Sequence, residues 1–182
     1  MNKLFAVVLG GAAPKSNIEL HDVVFTVAQN IEETYMDLLD LWFGLPQKMH
    51  IDSYMVLDIV DGYEVQLKAE ASTQKEKLFF INFGAYKKGD FMEHHANTFI
   101  VSTSVIEAKR RAKEQLLKGY DEVHKDDLYE IDDLLELKEV KGYHVHLKST
   151  DKEQNLLPIN GYHVLPKAVV REYLEQHNLI TD

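Results

Sequence analysis

The sequence predicts an α+β fold made by internal duplication. A strand-strand-helix-strand-strand unit is used twice, its helices packed on antiparallel or mixed sheet, with one further helix at the C-terminal end. Three observations carry this. One set of residues recurs 74 positions on: Lys3-Leu4-Phe5 as Lys77-Leu78-Phe79, Gly10 as Gly84, Glu19 as Glu93, His21 as His95, Phe25 as Phe99, Glu33 as Glu107. At that spacing His50 falls on His124 and Asp52 on Asp126. Another set recurs 80 positions on, Gly62-Tyr63-Glu64-Val65-Gln66-Leu67 as Gly142-Tyr143-His144-Val145-His146-Leu147. The apolar period also changes along each copy, from strand-like to helix-like and back.

The elements follow in order. Leu4 to Leu9 is apolar on both faces, the pattern of a central strand. Val23 to Val27 is β-branched and aromatic, which suits a second strand. Asn30 to Glu33 has the spacing of a capping box, in which Asn30 accepts from a free helix amide and Glu33 reaches back. Ile31, Tyr35, Leu38, Leu39 and Trp42 then form one stripe of a helix, stopped by Gly44 and Pro46. In the second copy Ser104 and Glu107 form the box, and Val105, Ala108, Ala112 and Leu116 the stripe. Tyr63, Val65 and Leu67 alternate with polar residues, as in a half-buried strand. The tail predicts a helix entered at Pro166, with Val169, Val170, Tyr173, Leu174 and His177 inward.

This gives residues 1–70 as repeat one, 71–76 as a polar linker and 77–150 as repeat two. Residues 151–182 form a C-terminal tail whose helix is expected to pack on repeat two. A unit of about 70 residues is near the lower limit for burying enough apolar surface alone, so tight association of the halves is expected.

Composition narrows the function classes. The 182 residues carry 20 Lys and Arg against 30 Asp and Glu, a formal net charge of −10. That sign disfavours nucleic acid and anionic membrane surfaces, because phosphate neutralisation supplies most of their affinity. The partner expected is a protein or a small molecule, and the paired halves could also support a homodimer. There is no cysteine, which removes disulfides, thiolate metal sites and cysteine nucleophiles and fits the cytoplasm. No apolar run reaches the roughly 18 residues of a membrane span. Met1 to Ala13 mimics a short leader, but Lys77 to Gly84 repeats its pattern inside the chain, so it reads as structure.

Residues in both copies resemble a bacterial domain-of-unknown-function family, number fifteen forty-three. In the first copy they are Lys3-Leu4-Phe5, Gly10-Gly11, Glu19-Leu20-His21-Asp22, His50-Ile51-Asp52 and Val60-Asp61-Gly62-Tyr63. In the second they are Lys77 to Asn82, Glu93-His94-His95 and Asp126-Asp127-Leu128-Tyr129. The resemblance covers about residues 1 to 147. It implies a fold that occurs once or twice per chain and names no reaction. Asp22 is replaced by Ala96, so a site that needs this aspartate cannot be equivalent in both copies.

The candidate binding residues are Glu19, His21, Asp22, His50 and Asp52, with Glu93, His95, His124 and Asp126 as their second-copy partners. In an extended segment Glu-x-His and His-x-Asp each place both side chains on one face. A carboxylate beside an imidazole fixes its tautomer, which serves acid/base work, and such groups also make metal sets. The structural alternative is that these side chains anchor loops or cap a turn. No metal is favoured from sequence; His21 and His50 are the candidates if one is held. His144 and His146 read as an outward polar face, because their first-copy counterparts are Glu64 and Gln66; His163 is a weaker echo. The acidic stretch Asp121 to Glu139 has no glycine for a calcium loop and reads as a solvated edge. Gly10 to Ser16 fails the phosphate-loop spacing. Lys109, Arg110, Arg111 and Lys113 read as the solvated face of the second helix. The function expected is a small binding or scaffold module. The alternative is a metal-assisted hydrolase or acid/base enzyme using the Glu-x-His and His-x-Asp motifs.

Overall fold

A computed structural model describes residues 1–85, 89–117 and 130–179 of the chain. In chain order its elements are β1 (Lys3–Gly11), β2 (Leu20–Ala28), α1 (Tyr35–Leu41), β3 (His50–Val56), β4 (Ile59–Val60), β5 (Tyr63–Lys68), β6 (Lys77–Ala85), β7 (His94–Ser102), α2 (Val105–Leu117), β8 (Glu130–Glu136), β9 (Glu139–Val140), β10 (Tyr143–Ser149), β11 (Ile159–Val164) and α3 (Lys167–Gln176). All strand pairs are antiparallel. The chain divides into two compact units, residues 1–58 with 155–182, and residues 59–154.

In the first unit the apolar run of β1 is central, as its burial demands. The sheet order is β11-β3-β1-β2. Asn30 Oδ1 accepts the Glu33 amide at 3.1 Å, and the Glu33 carboxylate accepts the Gln29 amide at 3.0 Å. The box therefore forms, but it opens a 3-10 turn at Glu32–Thr34, and α1 follows. Leu38, Leu39 and Trp42 turn inward onto Phe5, Val7, Leu9 and Ile51.

The tail corrects one expectation. Its helix packs on the first repeat's core, where Leu165 and Tyr173 are buried with Val169 and Val170 beside them. The physical reason lies in the first unit. Strand β3 has a free edge that β11 covers, Ile159 opposite Tyr54 and Val164 opposite His50. Helix α1 is only seven residues long, and α3 completes the cover of its apolar face. Burial, and then a hydrogen bond to Asp40, raise the Tyr173 hydroxyl above its ordinary pKa.

In the second unit the hairpins of the two repeats share one sheet, β4-β5-β10-β9. Gln66 lies opposite His146, its own counterpart, with Val65 opposite Leu147 and Leu67 opposite Val145. The pairing is thus centred on a local twofold. Each hairpin turns through two residues with positive φ, Asp61-Gly62 (54° and 79°) and Lys141-Gly142 (51° and 76°). That is the turn whose twist matches its strands, and glycine takes its second place without a Cβ penalty. A second sheet, β7-β6-β8, carries α2 over a core of Phe79, Ile81, Phe83, Ile100, Ala108 and Ala112. Ser104 caps α2 through the Glu107 amide at 3.2 Å.

Two details of α2 depart from expectation. Val105 is 44% exposed and lies off the buried stripe. Arg111 is not a solvated outer residue: it donates to Asp61 at 2.6 Å and to the Val101 carbonyl at 2.8 Å. Asp61 in turn accepts the Val101 amide at 2.9 Å, so one arginine ties the first hairpin to β7. Arg110 does lie outward, paired with Glu107 and Glu114.

Two measurements check these packings. Tyr173→Ala is expected to lower stability by about 3 kcal/mol in denaturant unfolding, the cost of emptying an aromatic core position. Arg111→Met is expected to cost about 1–3 kcal/mol by the same assay, because Asp61 loses its charged partner.

Candidate functional site

Strand register builds the site. Gly10 of β1 pairs with His21 of β2 on one side and with His50 of β3 on the other. Residues directly opposite one another share a face of the sheet, so the two histidines flank a position without a side chain. A Cβ at Gly10 would stand 2.6 Å from His50 Nε2 and 2.6 Å from Asp52 Oδ2. Only glycine leaves room for both.

A bulge supplies the aspartate. Along β1 and β3, Val8 faces Ser53 and Leu9 faces Ile51, so Asp52 is the extra residue. On the other side of β3, Asn160 faces Ser53 and His163 faces Ile51, so Gly161 and Tyr162 share the place opposite Asp52. Bulges re-aim side chains in this way and recur beside functional sites. The second irregularity brings the Tyr162 ring to 4.2 Å from the His50 ring, centroid to centroid.

Four predicted residues come together. His50 Nε2 lies 2.8 Å from Glu19 Oε1 and 3.1 Å from Asp52 Oδ1. His21 Nε2 lies 3.2 Å from Asp52 Oδ2 and 4.0 Å from Glu19 Oε2. The cluster is graded in exposure. The His50 side chain is 3% exposed, Asp52 30%, Glu19 48% and His21 54%. His50 Nε2 and Nδ1 and Asp52 Oδ2 are buried without a hydrogen-bond partner. The short contacts at His50 Nε2 are therefore close but off the axis of a ring hydrogen bond. Among the described residues, no group of three or more His, Asp and Glu side chains is set as the ligand shell of a metal ion.

Asp22 is not part of the cluster. It sits one residue past His21, opposite Leu9 in register, and accepts its neighbour's amide, Val23, at 2.7 Å. Successive strand residues point to opposite faces, which removes it from the site.

The second repeat keeps the frame and changes the residues. Gly84 pairs with His95, as Gly10 does with His21. Glu93 and His95 stand 4.0 Å apart, the separation of Glu19 and His21. On β8, however, Gly84 pairs with Glu130, and the bulge between Asn82 and Phe83 makes Asp132 the extra residue. Glu130 and Asp132 thus hold the strand positions of His50 and Asp52. This corrects the expected counterparts His124 and Asp126, which lie outside the described residues. The second copy's extra residues fall before its third strand, so the 80-residue spacing already applies there. Much of the acidic stretch Asp121 to Glu139 also lies outside them.

The remaining histidines have other partners. His146 donates to the Glu70 carbonyl at 2.8 Å, and His144 lies 3.7 Å from Glu139. His163 sits edge-on to Tyr54, with ring centroids 6.0 Å apart. Sequence reasoning missed Gly10 and Tyr162. The signal for Gly10 was a glycine inside an apolar strand at the same place in both copies, which marks a close approach. Tyr162 carried no such signal, because its role follows from a strand that the tail adds.

The family described as Domain of Unknown Function (DUF1543) matches the chain over residues 16–67 and 90–147. A crystal structure of a protein Il1583 from Idiomarina loihiensis is 36% identical in sequence, covers 92% of this chain and 100% of its own, and superposes with a TM-score of 0.74. No curated protein matches.

Gly10→Ala tests the geometry of the site. The added methyl must displace His50 or Asp52, and overpacking of this kind costs about 1–3 kcal/mol. The expected result is that loss in denaturant unfolding, with shifted imidazole resonances of His21 and His50 in the NMR spectrum.

Proposed function

The chain belongs to the DUF1543 family, whose description names no activity, and from its own residues we propose that it is a small binding module. Its ligand is taken at Glu19, His21, His50 and Asp52 of the first repeat.

One observation carries this reading: a buried histidine with neither ring nitrogen hydrogen-bonded. Buried polar groups are almost always paired, since leaving one unpaired costs about 1–3 kcal/mol. A cluster kept for stability would be bonded throughout. Here the fold spends a glycine and a bulge to bring four groups together and leaves the most buried of them unsatisfied. Such departures from local stability rules concentrate at functional sites. The half-exposed Glu19 and His21 give a ligand its way in.

A second reading uses the same residues for metal-assisted hydrolysis or acid/base catalysis. What favours it is that same open side, through which a substrate could reach an imidazole flanked by two carboxylates. Turnover lost in His21→Gln separates catalysis from binding alone.

Removing both carboxylates, as Glu19→Gln with Asp52→Asn, tests the binding-module reading. In purified, ligand-free protein the double variant is expected to unfold within about 1 kcal/mol of wild type or to be more stable, as for site residues not kept for stability. A loss of about 3–5 kcal/mol, the cost of breaking a buried ion pair that holds the fold, would overturn it.

A further inference from the structure

We infer that the ligand of this site is a divalent transition-metal ion, one per chain. The inference rests on the binding-module reading and names its ligand.

Nitrogen and oxygen alternate around the cluster. Glu19 turns Oε1 to His50 and Oε2 to His21; Asp52 turns Oδ1 to His50 and Oδ2 to His21. The four contacts, 2.8, 3.1, 3.2 and 4.0 Å, close a ring. Donors that share one ion at bonds of about 2.0–2.2 Å stand about 3.0–3.5 Å from each other. Their lone pairs then aim at a common centre and not at one another. That is the relation at His50, where two carboxylate oxygens are near Nε2 and neither lies on its hydrogen-bond axis.

The ring is tighter at His50 than at His21, which is why the four are not yet an even shell. The residues that must move are the two half-exposed ones, Glu19 and His21. His50 is held by burial and by the Tyr162 ring, and Asp52 by its bulge. An ion seated on His50 and Asp52 and closed by Glu19 and His21 would satisfy His50 Nε2 and Asp52 Oδ2 together. The absence of a side chain at Gly10 leaves it room.

The donor types set the class of ion. Two carboxylates balance a divalent charge. Imidazole suits zinc, iron, nickel and copper, and carboxylate suits manganese, whereas calcium and magnesium take oxygen ligands. The ratio of one follows from the second repeat, where Glu130 holds the strand position of His50.

The test uses the full chain without a polyhistidine tag, stripped with chelator, incubated with Zn2+ or Mn2+ and passed through gel filtration. Elemental analysis is expected to find about one equivalent retained by wild type, and its Tm to rise with the metal. His21→Gln, at a half-exposed position, is expected to weaken retention more than about tenfold, since even outer-shell partners are worth that much. The double variant Glu19→Gln/Asp52→Asn is expected to retain none. Folded wild type that retains no metal, or a double variant that retains as much as wild type, overturns the inference. If the double variant is as stable as wild type and wild type holds no metal, the metal assignment falls and the binding-module reading stands. If it is strongly destabilised in chelator, both fall. Should it not fold at all, unchanged metal affinity in His21→Gln still overturns the metal assignment.

Discussion

The architecture of the site depends on one constraint, the register of three antiparallel strands at Gly10. Pairing Gly10 with His21 and with His50 fixes which residues of β2 and β3 share a face. A slip of one residue in either pairing would turn a histidine to the opposite face, because side chains alternate with a period of two. Register is in turn enforced by the core. Val7 and Leu9 of β1 and Ile51 of β3 are buried under α1, so the same slip would also carry apolar side chains out of it. Core packing and site geometry are two consequences of one hydrogen-bond ladder.

The duplication shows what the fold requires and what the site requires. In both repeats the third strand is followed by the same bond, Leu57 amide to Leu4 carbonyl at 2.9 Å and Leu137 amide to Leu78 carbonyl at 2.8 Å. The glycine, the bulge, and the Glu-x-His separation also recur. What differs is the residue opposite the glycine on the third strand, histidine in β3 and glutamate in β8. The framework is therefore shared, and the chemistry is set by a position that the framework leaves free. An imidazole there adds a nitrogen donor where the second copy has a carboxylate residue, so the two copies present different donor sets on one scaffold.

The strands, capping boxes and repeat were legible in the sequence because each is local or is written twice. The Glu-x-His and His-x-Asp pairs were legible as pairs, since a two-residue spacing already places side chains on one face. Their meeting was not legible. It depends on antiparallel partners tens of residues apart, and on a bulge that shifts β3 by one residue at Asp52. The second-copy counterparts were misplaced for a related reason. His124 and Asp126 repeat the letters at 74 residues, whereas pairing with β6 follows the 80-residue spacing of the hairpin. The tail's docking was hidden because it depends on an uncovered strand edge and a short helix in a segment over a hundred residues earlier.

The position of the tail connects fold to site. Strand β11 covers the edge of β3, an edge that would otherwise present unpaired backbone groups. It does so with one residue too many opposite Asp52. A regular strand would have placed a single residue there; the irregular one lays Tyr162 against the ring of His50. The His50 imidazole is thereby shielded on the side of the added strand and approached on the side of Glu19 and His21. Burial keeps the ring fixed, and the open side keeps it reachable. A segment from outside the repeat thus completes a site whose four polar residues all come from within it.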